Sequence, residues 1–292
     1  MEVKVPAGKY VLAVSGGVDS VVLLDLLSNL SGIDLVIAHF NHGIRPDSVK
    51  DELLTANLAA KYKLPYEAGK RGLGAKASED AARQARYAFL EDVQNKHAAS
   101  KIITAHHQDD LIETALINLI RGTGRQGLSA ISSNPDILRP LLKFSKKEII
   151  GYAKANKLKW REDMTNADTD YLRNYLRHKV LSGLDTVKRE ALLSHLSAVS
   201  SINRKIDQDI ATLSQIVGNE QIDRRAFSEL PVSIGNEILV YQLRANDIRD
   251  FDAKTIRRLN MAIRTAKADS THHIKRSARL KVGRQIAVLL TS

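Results

Sequence analysis

Short apolar runs alternate with longer segments of helical periodicity over the first 160 residues of the chain. The apolar runs cover residues 10–14, 35–38 and 102–105, and they have the length and composition of buried parallel strands. Strands that alternate with helices in this way predict an α/β fold with a doubly wound parallel sheet. Helical spacing follows at residues 19–30, 48–62, 78–97, 109–121 and 145–156. Ser145 and Glu148 form a capping box at the start of the last of these helices.

The pattern changes after about residue 190. Apolar residues recur there at intervals of three and four up to residue 217, which predicts one long amphipathic helix with no strand after it. Further on, apolar residues occupy even positions between 274 and 290, a two-residue period that predicts strand with a basic face. The basic residues at odd positions of this segment are Lys275, Arg279 and Lys281. We therefore predict two domains, residues 1–186 and a smaller, mostly helical one at residues 187–292.

Composition points to a polyanionic partner and limits the available chemistry. The 292 residues include no cysteine, which excludes disulfides, thiolate metal sites and cysteine-bound iron–sulfur clusters within this sequence. The formal net charge is +11, and the segment from Lys254 onward carries +9 of it. Basic residues interleaved with apolar ones indicate a folded surface that meets a polyanion. The alternative is a solvated face that only keeps the protein soluble. We find neither a signal-peptide layout nor an apolar stretch of about 20 residues, so we expect a cytoplasmic protein without a membrane partner.

A glycine-containing loop follows the first predicted strand and opens the first predicted helix. Such a loop directs backbone N–H groups and the positive end of a helix dipole at a phosphate. Its glycines allow close backbone approach, and its two hydroxyls are further donors. It lacks the lysine of a Walker A loop, but an aspartate beside phosphates is typical of a site that holds Mg²⁺. A tight turn with an incidental aspartate remains the alternative. The residues are Ser15, Gly16, Gly17, Val18, Asp19 and Ser20.

A second polar cluster follows the strand that ends near residue 105. In a helix that begins near Asp109, the carboxylates of Asp110 and Glu113 are three residues apart and share a face. Together with His106 they could hold a cation, either a divalent metal or an ammonium group. The simpler alternative is a pair of acids favoured by the helix dipole, next to a hydrogen-bonded histidine.

The loop sequence SGGVDS resembles the signature of the N-type ATP pyrophosphatases, also called PP-loop enzymes, which have an adenine nucleotide alpha hydrolase-like fold. Further motifs, in the same order along the chain, resemble those of the tRNA(Ile)-lysidine synthetases. The resemblance covers about residues 9–180. The motifs lie at residues 38–45, 79–87, 104–114, 139–142, 160–166 and 173–177.

This resemblance implies an enzyme that uses ATP and Mg²⁺ to join free lysine to carbon 2 of the wobble cytidine in tRNA(Ile) with a CAU anticodon. It implies ATP binding by residues 15–20 and His39, with Asp19 also as metal ligand and catalytic residue. It assigns lysine binding and catalysis to His106, Asp110 and Glu113, and leaves open which of them deprotonates the lysine amine. Arg83 and Arg86 would face the phosphates or the tRNA. The basic second domain would bind tRNA, and a homodimer is among the expected assemblies, although the sequence does not decide the oligomeric state.

The chain departs from the family pattern at residues 181–184, where a proline is common, and in a short C-terminal part. Two alternatives stay open. One is another tRNA-modifying enzyme of the same superfamily, such as a thiolase, although these typically use cysteines. The other is a non-enzymatic RNA-binding protein with a nucleotide-binding fold.

Overall fold

The computed structural model describes residues 1–41, 48–70, 79–129, 136–161, 172–246, 248, 251–275 and 278–291. The chain forms two compact units, Met1–Ser200 and Ser201–Ser292. The boundary lies inside one helix, Thr186–Val217. The domain boundary near residue 186 lies before this division, at the start of the helix, and stays a prediction.

The first unit contains a five-stranded parallel sheet, which confirms the predicted α/β class. The strand order is β3-β2-β1-β4-β5, so the first strand is central and the chain adds strands first on one side and then on the other. Residues of β1 pair in register with both neighbours, for example Val11 with Val36 and with Ile102. The strands are β1 (Gly8–Ala13), β2 (Ile33–Asn41), β3 (Tyr66–Lys70), β4 (Lys101–Ile103) and β5 (Ile137–Leu138).

Helices cover both faces of this sheet. Tyr10 and Leu12 pack into a core formed with the first and sixth helices, whereas Val11 faces the third helix on the opposite side. Burial on both faces explains why the strands are continuous apolar runs rather than alternating ones. The helices of this unit before residue 176 are α1 (Val18–Ser28), α2 (Ser48–Tyr62), α3 (Glu79–Lys96), α4 (Gln108–Ile120), α5 (Arg125–Leu128), α6 (Lys146–Ala155) and α7 (Leu172–Tyr175).

The predicted elements correspond closely to the observed ones in this unit. The helix expected at residues 48–62 has those bounds, and the other four agree to within two residues at each end that the structure describes. Ser145 caps α6 through the predicted capping box with Glu148. Strands β3 and β5 were not predicted, because the first is rich in polar residues and the second has only two residues.

The first unit ends in a compact turn that leads into the long helix. One π-helical turn, Leu176–Val180, follows α7, and a 3-10 turn, Leu181–Gly183, follows in turn. Leu181 packs with Ile112 of α4 and Leu196 of the long helix in a small core of their own. The segment in which the family commonly has a proline therefore forms a packed turn. The long helix, α8 (Thr186–Val217), matches the predicted amphipathic segment. The expectation that no strand follows it is wrong, because a short strand, β6 (Gln221–Asp223), comes directly after it and pairs with the last strand of the second unit.

The second unit combines helices with a four-stranded antiparallel sheet of order β6-β9-β8-β7. Arg224 ties it together, because its guanidinium donates to the carbonyls of Ile263, Ala266 and Gly283 at 2.7–2.8 Å. The elements are β6 (Gln221–Asp223), α9 (Arg224–Glu229), α10 (Val232–Ala245), α11 (Ala253–Thr265), β7 (Ser270–Lys275), β8 (Ala278–Val282) and β9 (Ile286–Thr291).

The predicted alternation, with even positions buried and odd positions exposed, is correct for β8 and wrong for β9. In β8 the even positions are buried and Arg279 and Lys281, the basic face of β8, are exposed. In β9 the parity is reversed, since Ala287 is buried while Ile286 is exposed. The register pairs Val282 with Ala287, and cross-strand partners face the same side, so the turn between the strands shifts the alternation by one. Among the described residues, no helix has the length and apolarity that a bilayer-spanning segment needs.

Candidate active site

The candidate site lies where the strand order reverses, next to the carboxyl ends of β1 and β4. The two strands are hydrogen-bonded neighbours, but the chain runs from one through β2 and β3 before it reaches the other. Open α/β sheets bind ligands at such switch points, because the loops that leave the two strands turn away to opposite faces. Here those loops contain the SGGVDS sequence and the first residues of α4.

Residues 15–20, called the glycine loop below, are braced by their own hydroxyls. Ser20 Oγ donates to the carbonyl of Gly17 at 2.9 Å and accepts from the Ser15 N–H at 3.2 Å. Gly16 has φ +88°, a left-handed conformation that favours glycine, and its carbonyl accepts the N–H of Arg161 at 3.0 Å. Gly17 caps α1 without a side-chain hydrogen bond. The positive end of the α1 dipole lies at this loop, where an anion binds favourably.

Asp19, in the first turn of α1, receives a lysine from a distant part of the chain. Lys146 Nζ donates to both carboxylate oxygens at 2.7 Å. This lysine is the first residue of α6, directly after the Ser145 cap. His107 Nε2 lies 3.7 Å from Asp19 Oδ1 on another side. The carboxylate that the sequence assigns to Mg²⁺ is thus partly neutralised by the chain itself.

The start of α4 arranges the second group of acids. His107 caps the helix: its ring Nδ1 accepts the backbone N–H of Asp109 at 3.2 Å, and its backbone N–H donates to Asp110 Oδ2 at 2.9 Å. Burial opposes ionisation of Asp110, but His107, His106 and Arg177 outweigh it and hold the pKa of Asp110 below its usual value. Asp110 is therefore a carboxylate at neutral pH.

Glu113, one turn further along α4, is completely buried and forms an ion pair. Arg177 Nε donates to Oε1 at 2.7 Å and Arg177 Nη2 to Oε2 at 2.9 Å, a two-pronged contact. The same Nη2 lies 3.6 Å from Asp110 Oδ1. Burial raises the pKa of Glu113, and the Arg177 guanidinium opposes this without cancelling it. The two acids thus already bind a cation, and in this structure that cation is a guanidinium.

His106 has a different environment from the two acids. Its Nδ1 is 2.8 Å from the hydroxyl of Thr104. Burial lowers the pKa of His106 to about 3, against the pull of Asp110 and with help from nearby arginines, of which Arg139 has the largest effect. His106 is therefore neutral at physiological pH and a weak base.

Arg83 and Arg86 flank Tyr87 on α3. Their guanidinium carbons lie 5.1 and 5.5 Å from the ring centroid. Both lower the pKa of His106, so the positive charge of α3 reaches the site. That the two arginines face the phosphates or the tRNA stays a prediction.

His39 is buried at the end of β2. Its Nδ1 is 2.8 Å from the carbonyl of Val14, which immediately precedes the glycine loop. This contact fixes the start of the loop, as expected of a hydrogen-bonded structural histidine. Its predicted contact with ATP stays a prediction. The other motif residues His42, Arg45 and 162–166 lie outside the described part of the chain.

Contacts connect three of the predicted site residues, Asp19, Asp110 and Glu113, into one network. It runs from Asp19 through His107 to Asp110 and through Arg177 to Glu113. Among the described residues, no group of three or more His, Asp or Glu side chains is arranged to hold a metal ion. The His106, Asp110 and Glu113 set therefore does not support the metal alternative.

Sequence reasoning gave no role to three residues of this network: Lys146, Arg177 and His107. Arg177 belongs to a motif of the resemblance, and Lys146 follows a predicted helix cap, so both positions carried a signal. Neither signal names a partner, because the partners are 64 and 127 residues away in sequence.

Relatives with similar sequences carry the name tRNA(Ile)-lysidine synthase. The Geobacter sulfurreducens protein is 38% identical over 224 residues, which is 73% of this chain and 47% of that protein. The Thermotoga maritima protein is 39% identical over 185 residues, 60% of this chain and 45% of that protein. These similarities confirm the resemblance inferred from the motifs. The chain spans about half the length of the curated relatives it matches.

Solved structures confirm the fold. The U34-tRNA thiolase NcsA from Methanococcus maripaludis, solved with its [4Fe-4S] cluster, superposes with a TM-score of 0.55 at 15% identity. The superposition covers 68% of this chain and 74% of that one, and at this identity it shows the fold alone. The PP-loop domain family matches residues 2–184, which include the sheet, the glycine loop and the acids of α4. The chain therefore belongs to the PP-loop domain family.

Proposed function

We propose that this protein joins free lysine to carbon 2 of the wobble cytidine of tRNA(Ile) with a CAU anticodon, and that it uses ATP to do so. The observation that carries the proposal is the network from Asp19 to Glu113. In it, a phosphate-binding loop and two carboxylates that bind a cation lie together at the switch point of the sheet. ATP and a lysine ammonium group require these two kinds of site side by side.

The residues of the glycine loop fit ATP with one Mg²⁺. Mg²⁺ is usually held by one or two carboxylates together with phosphate oxygens and water, so a site with Asp19 as its protein ligand is sufficient. The Asp19 side chain is 26% exposed, and water and a metal ion can reach it. The ion, when bound, withdraws charge from the phosphates. Metal binding at Asp19 requires Lys146 to give up at least one of its two contacts.

The proposed reaction has two steps. The carbonyl oxygen on carbon 2 of cytosine attacks the α-phosphorus, the bond to the bridging oxygen breaks, and pyrophosphate leaves. The ε-amine of lysine then attacks carbon 2, and AMP leaves with the oxygen atom. The backbone N–H groups of the glycine loop stabilise the charge that develops on the phosphate in the first step.

The lysine amine must lose a proton before it attacks, because free lysine is protonated at neutral pH. Of the three candidates that the sequence left open, Glu113 has the features of an acceptor. Its pKa is raised by burial, whereas the pKa of Asp110 is lowered and His106 is a weak base with a pKa of about 3. We therefore assign the proton to Glu113 and the electrostatic binding of the ammonium group to Asp110. Proton transfer to Glu113 requires Arg177 to give up its hydrogen bond to one of the two carboxylate oxygens.

The second unit is the proposed tRNA-binding part. Its basic face of β8 is exposed to solvent. Arg224 and Arg264, in contrast, donate to main-chain carbonyls of their own unit, so they stabilise the fold. Phosphate contacts from the exposed cations would give affinity that depends on salt and little on base sequence. With tRNA and lysine as substrates, the protein acts in the cytoplasm. The homodimer stays a prediction, which sedimentation can test.

The experiment is incubation with ATP, Mg²⁺, radiolabelled lysine and unmodified tRNA(Ile) with CAU, next to elongator tRNA(Met). We expect label in the first tRNA only, and its loss in Asp110→Asn and Glu113→Gln. Glu91→Gln, an exposed acid of α3, is the matched control and should keep full activity. Label in neither tRNA would refute the substrate assignment. Pyrophosphate release with tRNA but without lysine incorporation would favour another tRNA-modifying enzyme. Binding of tRNA without ATP turnover would favour a non-enzymatic RNA-binding protein.

A further inference from the structure

The glycine loop has no cationic side chain of its own. Its six residues contain two serines, two glycines, a valine and an aspartate, so the only formal charge they carry is negative. The α1 dipole supplies only about half an elementary charge at its positive end. ATP carries most of its charge on the β- and γ-phosphates, which leave together as pyrophosphate. A cation from another segment is therefore required near this loop, in addition to the metal.

Lys146 meets this requirement by position. It is the first residue of α6, and its Nζ lies 2.7 Å from each oxygen of Asp19. Its side chain is 37% exposed, so the ammonium group borders solvent and can reorient without unfolding the helix. The Ser145 capping box fixes the start of α6 and thereby the position from which the side chain extends.

We propose that Lys146 is the phosphate-binding lysine of this site and takes the role that a Walker A lysine has in other nucleotide-binding loops. The inference rests on ATP use in the proposed function. Asp19 turns one oxygen to the metal when nucleotide binds, and this frees the ammonium group for the β- and γ-phosphates. As the bond between the α-phosphorus and the bridging oxygen breaks, the electron pair goes to pyrophosphate. Lys146 stays protonated and neutralises the charge that pyrophosphate gains.

A structural role for Lys146 makes different predictions from a phosphate contact. If the lysine only neutralises Asp19, its loss weakens binding of any nucleotide phosphate through the uncompensated carboxylate. If it contacts the β- and γ-phosphates, its loss weakens ATP binding and spares AMP, which lacks them. Comparison of the two nucleotides separates these roles.

The experiment is calorimetric titration of the full chain with ATP and, separately, with AMP in the presence of Mg²⁺. For Lys146→Met we expect roughly 10- to 100-fold weaker ATP binding, the usual effect of a lost hydrogen bond to a charged group. AMP binding should change less than about 2-fold, because AMP lacks the phosphates to which Lys146 would donate a charged hydrogen bond. Lys146→Arg should keep most of the ATP affinity. Lys147→Met, the exposed neighbour on α6, is the matched control and should bind both nucleotides like the wild type.

A second titration in EDTA removes the metal from the comparison. Asp19→Asn combined with Lys146→Met should still bind ATP more weakly than wild type, since the phosphate contact is missing. Restored ATP affinity in that double variant would overturn the proposal, and so would equal losses for ATP and AMP or no loss at all in Lys146→Met. A wild-type chain that binds no ATP would overturn the proposed function as well. The wild-type chain could fail to form lysidine while Lys146→Met selectively loses ATP binding. That result would support the phosphate-binding role of Lys146 and refute only the proposed tRNA substrate.

Discussion

Replacement of Arg177 by glutamine leaves a buried carboxylate without its cation. Glu113 is completely buried, and Arg177 supplies hydrogen bonds of 2.7 and 2.9 Å to its two oxygens. Removal of one partner of a buried ion pair costs about 3–5 kcal/mol. The Arg177 side chain is 30% exposed, so water can partly replace it. We therefore expect a loss of about 3 kcal/mol in the free energy of unfolding at pH 7.5, at the lower end of that range.

The loss should depend on pH in a defined direction. Burial raises the pKa of Glu113 in the folded protein and Arg177 opposes it, so the pKa rises further in Arg177→Gln. A carboxyl group with a raised pKa in the folded state contributes its full stability below its unfolded pKa, about 4.3 for glutamate, and loses it as pH rises through the folded pKa. Arg177→Gln therefore loses stability over a wider pH range than the wild type does. Its deficit should therefore be smaller at pH 5.5 than at pH 7.5, by about 1.4 kcal/mol for each pKa unit that the substitution adds within this range.

Urea unfolding followed by the fluorescence of Trp160 measures this deficit. Trp160 is the single tryptophan of the chain and packs against the core of the first unit, so its signal reports that unit. The control is Arg177→Gln combined with Glu113→Gln, in which the buried charge of Glu113 is removed together with its partner and most of the stability should return. A deficit that is equal at both pH values, or a double variant as unstable as the single one, would refute the reasoning.

Three further substitutions test other parts of the structure. Gly16→Ala introduces a side chain at φ +88° in the glycine loop and should weaken ATP binding in calorimetry. Gly122→Ala, at φ +66° outside the loop, should leave ATP binding unchanged. Each substitution strains the backbone by about 1–2 kcal/mol. Arg224→Met removes the hydrogen bonds to main-chain carbonyls and should lower the free energy of unfolding of the second unit by about 2–4 kcal/mol. Urea unfolding followed by circular dichroism measures this as a lower midpoint. The control variant at its exposed neighbour, Arg225→Met, should keep the midpoint of the wild type. Exchange of both residues of the basic face of β8 for glutamine should weaken tRNA binding and reduce the salt dependence of the affinity by a slope of about 1 per lost phosphate contact; an unchanged slope would exclude that face.

The parts of the fold that the sequence predicted are those set by local patterns. The apolar runs of β1 and β2 are readable because both faces of these strands are buried. The cap of α6 is readable because Ser145 and Glu148 are three residues apart. The alternation in β8 and β9 was only half readable, because a turn between two strands can shift the parity by one and the sequence does not give the register.

The site was predictable to the same extent. Asp19, Asp110 and Glu113 lie in motifs whose local geometry, a strand followed by a helix, places them at the carboxyl ends of the strands. Their cations were not predictable from local patterns. Lys146 is 127 residues from Asp19, and Arg177 is 64 residues from Glu113. No periodicity relates residues at that distance, so only the folded chain shows these pairs.

These long-range pairs follow one rule, which gives residues 146–189 a defined role in the site. Four acids between residues 19 and 113, on α1, α2 and α4, each form an ion pair with a cation from that later segment. Because burial of an unpaired carboxylate is costly, the acids can be both ionised and buried only when the later segment is folded against them. We expect a chain that ends at residue 145 to lose the fold of α4 and the glycine loop, although it contains all five strands of the sheet. Native-like amide protection of α4 in such a fragment would contradict this. The pairs are Asp19 with Lys146, Asp51 with Arg161, Asp109 with Arg189, and Glu113 with Arg177.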